Sequence, residues 1–311
     1  MAQQKSYEKV FYDLRPAKQV ERRIIIDTLQ ELSRSSFPIK KYQYTGFGSI
    51  SFVDFIMFHK LLGINKLLRV EHSEDEKRIK FNKPFKQIDI KFGPISDYIA
   101  SLNPESKHLL WLDYDFHLDN NVLEDVVSSA AQLSPGSIFI ITVDIQITSK
   151  FANPAKRLKY YKREAGTFFK RTWKKKDLSP SKLSSVIFEL LYSAIKNGLT
   201  GREGFDFYPL FKFIYADGHK MLTLGGVIGR DTELANLDRC DFSDLTFVRR
   251  NISELPYIIE VPILTRKEKM ALDAAMPCTL NWRPKFELAE TAITAYRDIY
   301  RFYPSYVEML L

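Results

Sequence analysis

Cysteine is nearly missing from this 311-residue chain: Cys240 and Cys278 stand alone and far apart. Two such residues make neither a disulfide framework nor a zinc site, and they fit a reducing compartment. No apolar run reaches the roughly 18 residues that a membrane-crossing helix needs, so no membrane span is expected. The N-terminal run MAQQKSYEKVFYDLRP is polar and lacks the apolar core of a secretory signal, and a cytoplasmic location is the expectation. There is no GxxxxGK[ST], which argues against a P-loop nucleotidase, and no internal repeat. Compositional bias is lacking as well. Hydrophobic residues make up 45% and charged residues 27%, close to the globular average, which excludes disordered, collagen-like and low-complexity chains. The length leaves room for one large domain or two small ones.

What the chain has is uneven charge. The net is +8, and residues 151–182 account for it. They hold eleven basic side chains against Glu164 and Asp177, a surplus of nine, so the rest is close to neutral. Phe151, Tyr160, Tyr161, Phe168, Phe169 and Trp173 interleave those charges. Basic groups suit phosphates and aromatic faces suit unstacked bases, so Lys170, Arg171, Lys174, Lys175 and Lys176 are candidate nucleic-acid contacts. The alternative is a solvated face whose aromatics pack on the body.

Hydrophobic periodicity predicts a helix over 16–34, opened by Pro16. Strands and helices then alternate: strand into the glycine turn of KKYQYTGFGS, helix 50–62 ending at Gly63, strand 67–72, helix 73–82 capped by Ser73, strand 87–93, a short helix from Ser96, strand 108–115, helix 120–133 and strand 137–145. Alternation at this spacing argues a parallel sheet covered on both faces. After the basic segment come an apolar helix, 181–198, and two strands within 208–229. The Asp217-Gly218 pair between them is a hairpin signal. Residues 283–311 are expected to form a helical tail rich in Tyr and Phe.

The sharpest constellation is Tyr44-Thr45-Gly46-Phe47-Gly48-Ser49 between the first strand and the next helix. Glycines there let the backbone approach a nucleotide or amino-acid group. Glu71 follows 23 residues after Gly48, where a carboxylate accepts ribose hydroxyls. A pyrophosphate site wants a third glycine, and this chain has Ile50, Ser51 and Phe52 instead. That argues against NAD and permits the smaller methionine end of S-adenosylmethionine.

The run YDLRPAKQVERR, then YTGFGSISFVDFIMFHKLLGI, then VEHSEDEKRIKFNKPF resembles a bacterial group of O-methyltransferases. The wider core resembles the class I methyltransferases that use S-adenosylmethionine. The resemblance covers about 12–145 closely and 205–230 loosely. It implies a Rossmann-like α/β fold: a mostly parallel seven-stranded sheet with a C-terminal antiparallel hairpin, a basic helical insertion and a helical tail. The expected units are 1–150 (N-terminal helix and cofactor half), 151–200 (insertion and helix), 201–265 (completing strands) and 266–311 (tail). It further implies that Tyr44, Gly46, Phe47 and Gly48 meet the methionine part, Glu71 and His72 the ribose, and Gly93 and Asp97 the adenine. Asp113 and its neighbours then face the transferred methyl. Tyr44 stands where many such enzymes carry an acid, and the third glycine is missing.

The run WLDYDFH sets Asp113, Asp115 and His117 at the end of the fourth strand, the ligand edge of such sheets. No Asn/Asp-Pro-Pro-Tyr motif and no nearby cysteine are present, which argues against amino-directed and cytosine C5 methylation of nucleic acids. What remains is transfer to oxygen or nitrogen with Asp113, Asp115 or His117 as general base. A magnesium ion held by Asp113, Asp115 and Asp144 is the weaker reading, and no metal is expected. Arg15, Lys18 and Arg22 share one helical face; they either hold a cofactor carboxylate or substrate phosphate, or pair with nearby acids. Two functions fit these residues. One is a methyltransferase whose substrate includes nucleic acid. The other is an inactive methyltransferase fold that binds nucleic acid or nucleotide within a bacterial complex, such as an anti-phage defence assembly. Either leaves room for an oligomer.

Overall fold

The structure, a computed structural model, describes residues 15–72 and 75–304. Helix α1 (Pro16–Ser35) comes first, and its opening turn is capped by tertiary contact. The N–H groups of Ala17 and Lys18 donate to the Asp217 carboxylate at 3.0 and 2.8 Å. An anion at the amino end of a helix is favoured by both the unpaired N–H groups and the dipole.

Then follow β1 (Gln43–Gly46), α2 (Val53–Leu62), β2 (Lys66–Glu71), α3 (Glu76–Phe81), β3 (Ile88–Phe92), α4 (Ile95–Ala100), β4 (His108–His117), α5 (Asn120–Gln132) and β5 (Ser137–Asp144). The basic segment forms α6 (Pro154–Glu164) and short turns. It leads into α7 (Leu183–Gly198), β6 (Asp206–Asp217), β7 (His219–Gly229), α8 (Asp231–Leu237), β8 (Tyr257–Ile259), α9 (Arg266–Asp273) and α10 (Glu290–Ile299). The sheet runs β3-β2-β1-β4-β5-β7-β6-β8. The first five strands in chain order are parallel; β7 is antiparallel to β5 and β6, and β8 runs parallel to β6.

The expected alternation is present with its order, and Gly218 (φ +85°) makes the hairpin turn between β6 and β7. The fold differs from expectation in three places. The sheet has eight strands, not seven, because the three-residue Tyr257–Ile259 is too short to stand out as a strand signal. Strand β4 continues to His117 through a register shift. The tail is helical only at 290–299, after an irregular approach, and 305–311 lie outside the described residues. The expected Ser73 cap lies outside them too, and α3 starts at Glu76.

Two cores lie on the two faces. Val20, Ile24 and Leu29 of α1 pack with Phe55 and Phe58 of α2 on one face. Residues of α4, α5 and α7, joined by Tyr161, Phe169 and Leu178 of the basic segment, cover the other. Burying both faces explains the near-continuous apolar run in β5.

Candidate active site

The carboxyl ends of β1, β2, β4 and β5 and the β6–β7 hairpin tip share one sheet edge, the edge at which open α/β sheets bind ligands.

At the end of β1 the chain turns through Gly46-Phe47-Gly48-Ser49. Alternation along the strand turns Tyr44 into the core, where it packs on Phe55 and Phe58 at 4.9 and 4.5 Å. Its ring therefore does not line the edge. A Cβ on Gly46 would lie 2.7 Å from Tyr44 Oη and 3.0 Å from the Trp111 carbonyl. A Cβ on Gly48 would lie 3.0 Å from Cδ and Nε of Arg69. Packing thus demands a glycine at 46, while at 48 a Cβ would fit only if the Arg69 side chain gave way.

Arg69 is the residue that sequence reasoning missed. Its guanidinium donates to the Ser49 carbonyl at 3.0 Å, pairs with Glu71, and lies 4.4 Å over the Phe52 ring. One buried side chain thus ties the glycine turn to the acid of β2. Burial lowers its pKa, against the pull of Glu71. The signal was an arginine inside the apolar strand KLLRVE. Phe52, fully buried, adopts a left-handed conformation (φ 54°) that costs a non-glycine residue about 1–2 kcal/mol. Contact with Arg69 and the core holds it there. The His72 N–H donates to Glu71 at 3.0 Å while its side chain is exposed. Gly93 (φ +142°) has open space where a Cβ would stand, and Asp97 is exposed in the first turn of α4.

At the end of β4, Asp113 meets α1. Lys18 Nζ lies 2.8 Å from Asp113, 2.7 Å from Glu21 and 3.2 Å from Tyr215 Oη, so its three hydrogens have three acceptors. Trp111 Nε1 donates to Thr142 at 3.0 Å, and Thr142 and Thr223 are 2.8 Å apart. Thr223 gives its hydrogen to Glu21, so Thr142 must donate to Thr223, and every hydrogen in the chain points toward Glu21. Burial raises the Glu21 carboxyl pKa and Lys18 opposes it. Arg22 pairs with Asp54 through two bonds of 2.7 and 3.2 Å. Arg15 lies 3.9 Å from Asp217. The shared face of α1 exists, but it is turned inward: Arg15, Lys18 and Arg22 all pair with acids of the chain itself.

His117 sits beyond the shift in β4. Its Nδ1 lies 3.5 Å from Asp144, which also takes His219 Nδ1 at 3.0 Å and the Gln146 N–H at 2.6 Å. Burial pushes the Asp144 carboxyl up, and these partners outweigh it, leaving its pKa below the usual range. The His117 ring stacks on Phe151 at 4.3 Å. Its Nε2 is buried without a hydrogen-bond partner among the described residues. Asp115 is exposed, as is Phe116, and Tyr114 packs between Phe47 and Phe116 at 5.1 Å from each. Asp113 and Asp144 are each engaged by cationic or imidazole partners. Among the described residues no three His, Cys, Asp or Glu side chains are grouped to hold a metal ion.

The profile of the family described as "Putative O-methyltransferase" matches residues 10–311. The chain belongs to that family. No curated protein matches its sequence. Among solved structures, Trm1 from Pyrococcus horikoshii in complex with S-adenosyl-L-methionine is 11% identical, with 95% of this chain and 85% of that chain covered and a TM-score of 0.45. An O-methyltransferase from Klebsiella pneumoniae, described as putative, is 13% identical over 68% and 88% of the two chains, with a TM-score of 0.36. Spermidine synthase from Thermotoga maritima is 10% identical, with 72% of this chain and 66% of that chain covered and a TM-score of 0.36. S-adenosylmethionine is the methyl donor that a family of this description implies, and two features of the edge fit it. Ser49 Oγ, on the glycine turn, is buried without a partner among the described residues. The Glu71 side chain keeps 18% of its surface exposed, and Gly93 leaves space beyond it.

In the basic segment, Lys170, Arg171, Lys174, Lys175 and Lys176 are exposed. The aromatics are less open: Phe151, Tyr161 and Phe169 are buried, and Tyr160, Phe168 and Trp173 are half-buried against the core that holds Tyr161 and Phe169. The rings expected to meet unstacked bases are thus taken up largely by the protein's own core. Arg157 is buried and bonds the Leu178 and Phe151 carbonyls, both at 2.6 Å, which closes the segment on itself. No helix among the described residues is long and apolar enough to cross a membrane.

Proposed function

We propose that this chain transfers the methyl group of S-adenosylmethionine to an oxygen of an acceptor bound at the carboxyl end of β4, with His117 taking the acceptor's proton. The observation that carries the reading is His117 itself. Nδ1 lies 3.5 Å from the Asp144 carboxylate, which favours the proton on Nδ1 and the lone pair on Nε2, and Nε2 is buried and unpartnered among the described residues. The acceptor's O–H bond breaks as its O–CH₃ bond forms, and the proton goes to Nε2. Asp113 suits this role less, because its carboxylate is already held by the buried Lys18 ammonium at 2.8 Å. Asp113 instead presents negative charge to the edge, its side chain 27% exposed.

The bound cofactor supplies an electrophilic methyl on a cationic sulfur. Ser49 and the glycine turn would hold its methionine part, Glu71 its ribose, and the space at Gly93 its adenine. Phe47, Tyr114 and Phe116 form an aromatic border on which a flat acceptor can rest. The test begins with calorimetric titration of S-adenosylmethionine, with ATP and NAD as controls and Glu71→Ala as the negative. Saturable binding lost in the variant supports the cofactor site. Transfer of labelled methyl to a fractionated cell extract, lost in His117→Gln, then tests the base.

One observation favours a second reading: Glu71 is already paired with Arg69. A fold that binds nucleic acid or nucleotide without chemistry would keep such a pair permanently. Folded protein that fails to bind S-adenosylmethionine would support it and sink the first.

A further inference from the structure

We infer that the exposed basic face of the 151–182 segment holds a nucleic-acid duplex by its phosphates, beside the proposed methyl-transfer edge. The inference adds a substrate class to the function proposed above and rests on it for the reaction, though not for the binding. Three observations carry it. First, Lys156, Lys159 and Arg163 share one face of α6, Lys162 lies in its last turn, and Arg171, Lys174, Lys175, Lys176 and Lys182 extend the charge along the following turns, all exposed. Arg163 pairs with Glu164 and Lys170 with Glu189. The other eight of these cations have no ion pair among the described residues, so no acid of the described chain neutralises them. Like charges gathered this way cost stability unless an anionic partner meets them.

Second, the aromatic rings of the segment face inward. A single strand is bound by stacking its unpaired bases on such rings, and here the rings are buried or half-buried against the core, which leaves little open face for a base. A duplex keeps its bases stacked inside and displays phosphates, the ligand that this surface matches. The large exposed apolar side chains among the described residues all lie outside 151–182. The segment therefore lacks the apolar anchor of a membrane-surface helix.

Third, the segment is tied down and abuts the reaction edge. Arg157 joins its two ends, Phe151 stacks on His117 at 4.3 Å, and Glu164 accepts the Asn120 N–H at 3.4 Å at the start of α5. A duplex seated on these cations lies next to His117.

The test is fluorescence anisotropy of the full chain with labelled RNA duplex, DNA duplex and the matching single strands, across a salt series. Anionic phospholipid vesicles form a further arm. Duplex binding should be tighter than single-strand binding, whichever of RNA or DNA is preferred. Lys174→Glu/Lys175→Glu/Lys176→Glu should weaken it about tenfold or more and flatten the log–log salt slope by about 0.9 for each phosphate that is no longer neutralised. Lys156→Glu/Lys159→Glu should do the same from the helical face. These positions are exposed, and an unchanged circular-dichroism melt confirms folding. Single strands bound as tightly as duplex, binding to vesicles but not duplex, or an unchanged slope in both variants would each overturn the inference. The triple variant should titrate S-adenosylmethionine as the parent does, so failure of duplex binding and failure of the cofactor site are read separately.

Discussion

Lys18 Nζ lies 2.8 Å from Asp113 Oδ2, and through that contact the first helix reaches the end of the fourth strand. The ammonium is completely buried and spends all its hydrogens on Asp113, Glu21 and Tyr215. Lys18→Met should therefore destabilise the fold by about 3–5 kcal/mol, since it strands the fully buried Glu21 carboxylate and leaves the part-exposed Asp113 without its partner. Urea denaturation measures it. The double variant Lys18→Met/Glu21→Gln should cost less than the sum of the two singles, because it removes one stranded charge.

The Arg22–Asp54 pair gives a pH signature. Burial alone would raise the Asp54 carboxyl, and Arg22 more than offsets this, so its pKa falls below the usual 3.8. A group with a depressed folded value stabilises above its unfolded value and loses that contribution as pH falls through the folded one. Asp54→Asn should cost about 3–5 kcal/mol near neutrality. Its deficit relative to the parent should shrink between about pH 5 and pH 3, as the parent loses the same charge. A deficit independent of pH would show that shape, and not charge, is what the pair contributes.

Two glycines should respond differently to alanine. At Gly48 the new Cβ meets the Arg69 side chain at 3.0 Å, which can shift at the expense of its bond to Ser49. Gly48→Ala should cost about 1 kcal/mol of stability and weaken S-adenosylmethionine binding about tenfold. At Gly226 the Cβ would lie 2.1 Å from the Tyr208 carbonyl, backbone that cannot give way. Gly226→Ala should cost about 3 kcal/mol in a thermal melt.

If His117 takes the proton, His117→Gln should lower the transfer rate about 10²–10⁴-fold with cofactor affinity kept. Asp144→Asn acts through it, as a positioning change, and should lower kcat with the KM for the cofactor kept and the melting temperature little changed. A rate fall matched by loss of folded protein in the melt would assign Asp144 a purely structural role.

Much of this was legible in the sequence, because it depends on local signals. The turn at Gly46–Ser49, Glu71 at a strand end, the DYD run and the Asp217-Gly218 hairpin all appear where periodicity and turn chemistry put them. Charge patterning also showed that the basic segment is distinct. It did not show which way the aromatics face, since interleaved rings read alike whether they stack on a ligand or on a core. Arg69 escaped notice because a lone arginine in an apolar strand names no partner. His219 and Asp144, far apart in sequence, meet only because β7 folds back against β5.

The amino-acid sequence by itself determined the alternation of elements, the glycine turn, the acid positions and the charge imbalance. Each follows from residues within a few positions of one another. Tertiary structure alone decided which charges are spent. It turned Lys18 and Arg22 inward onto Asp113 and Asp54, gave Arg69 to Ser49 and Glu71, and left Nε2 of His117 without a partner among the described residues. The physical reason is that a buried charge must find its counter-charge wherever the chain brings one, and sequence spacing does not record that distance.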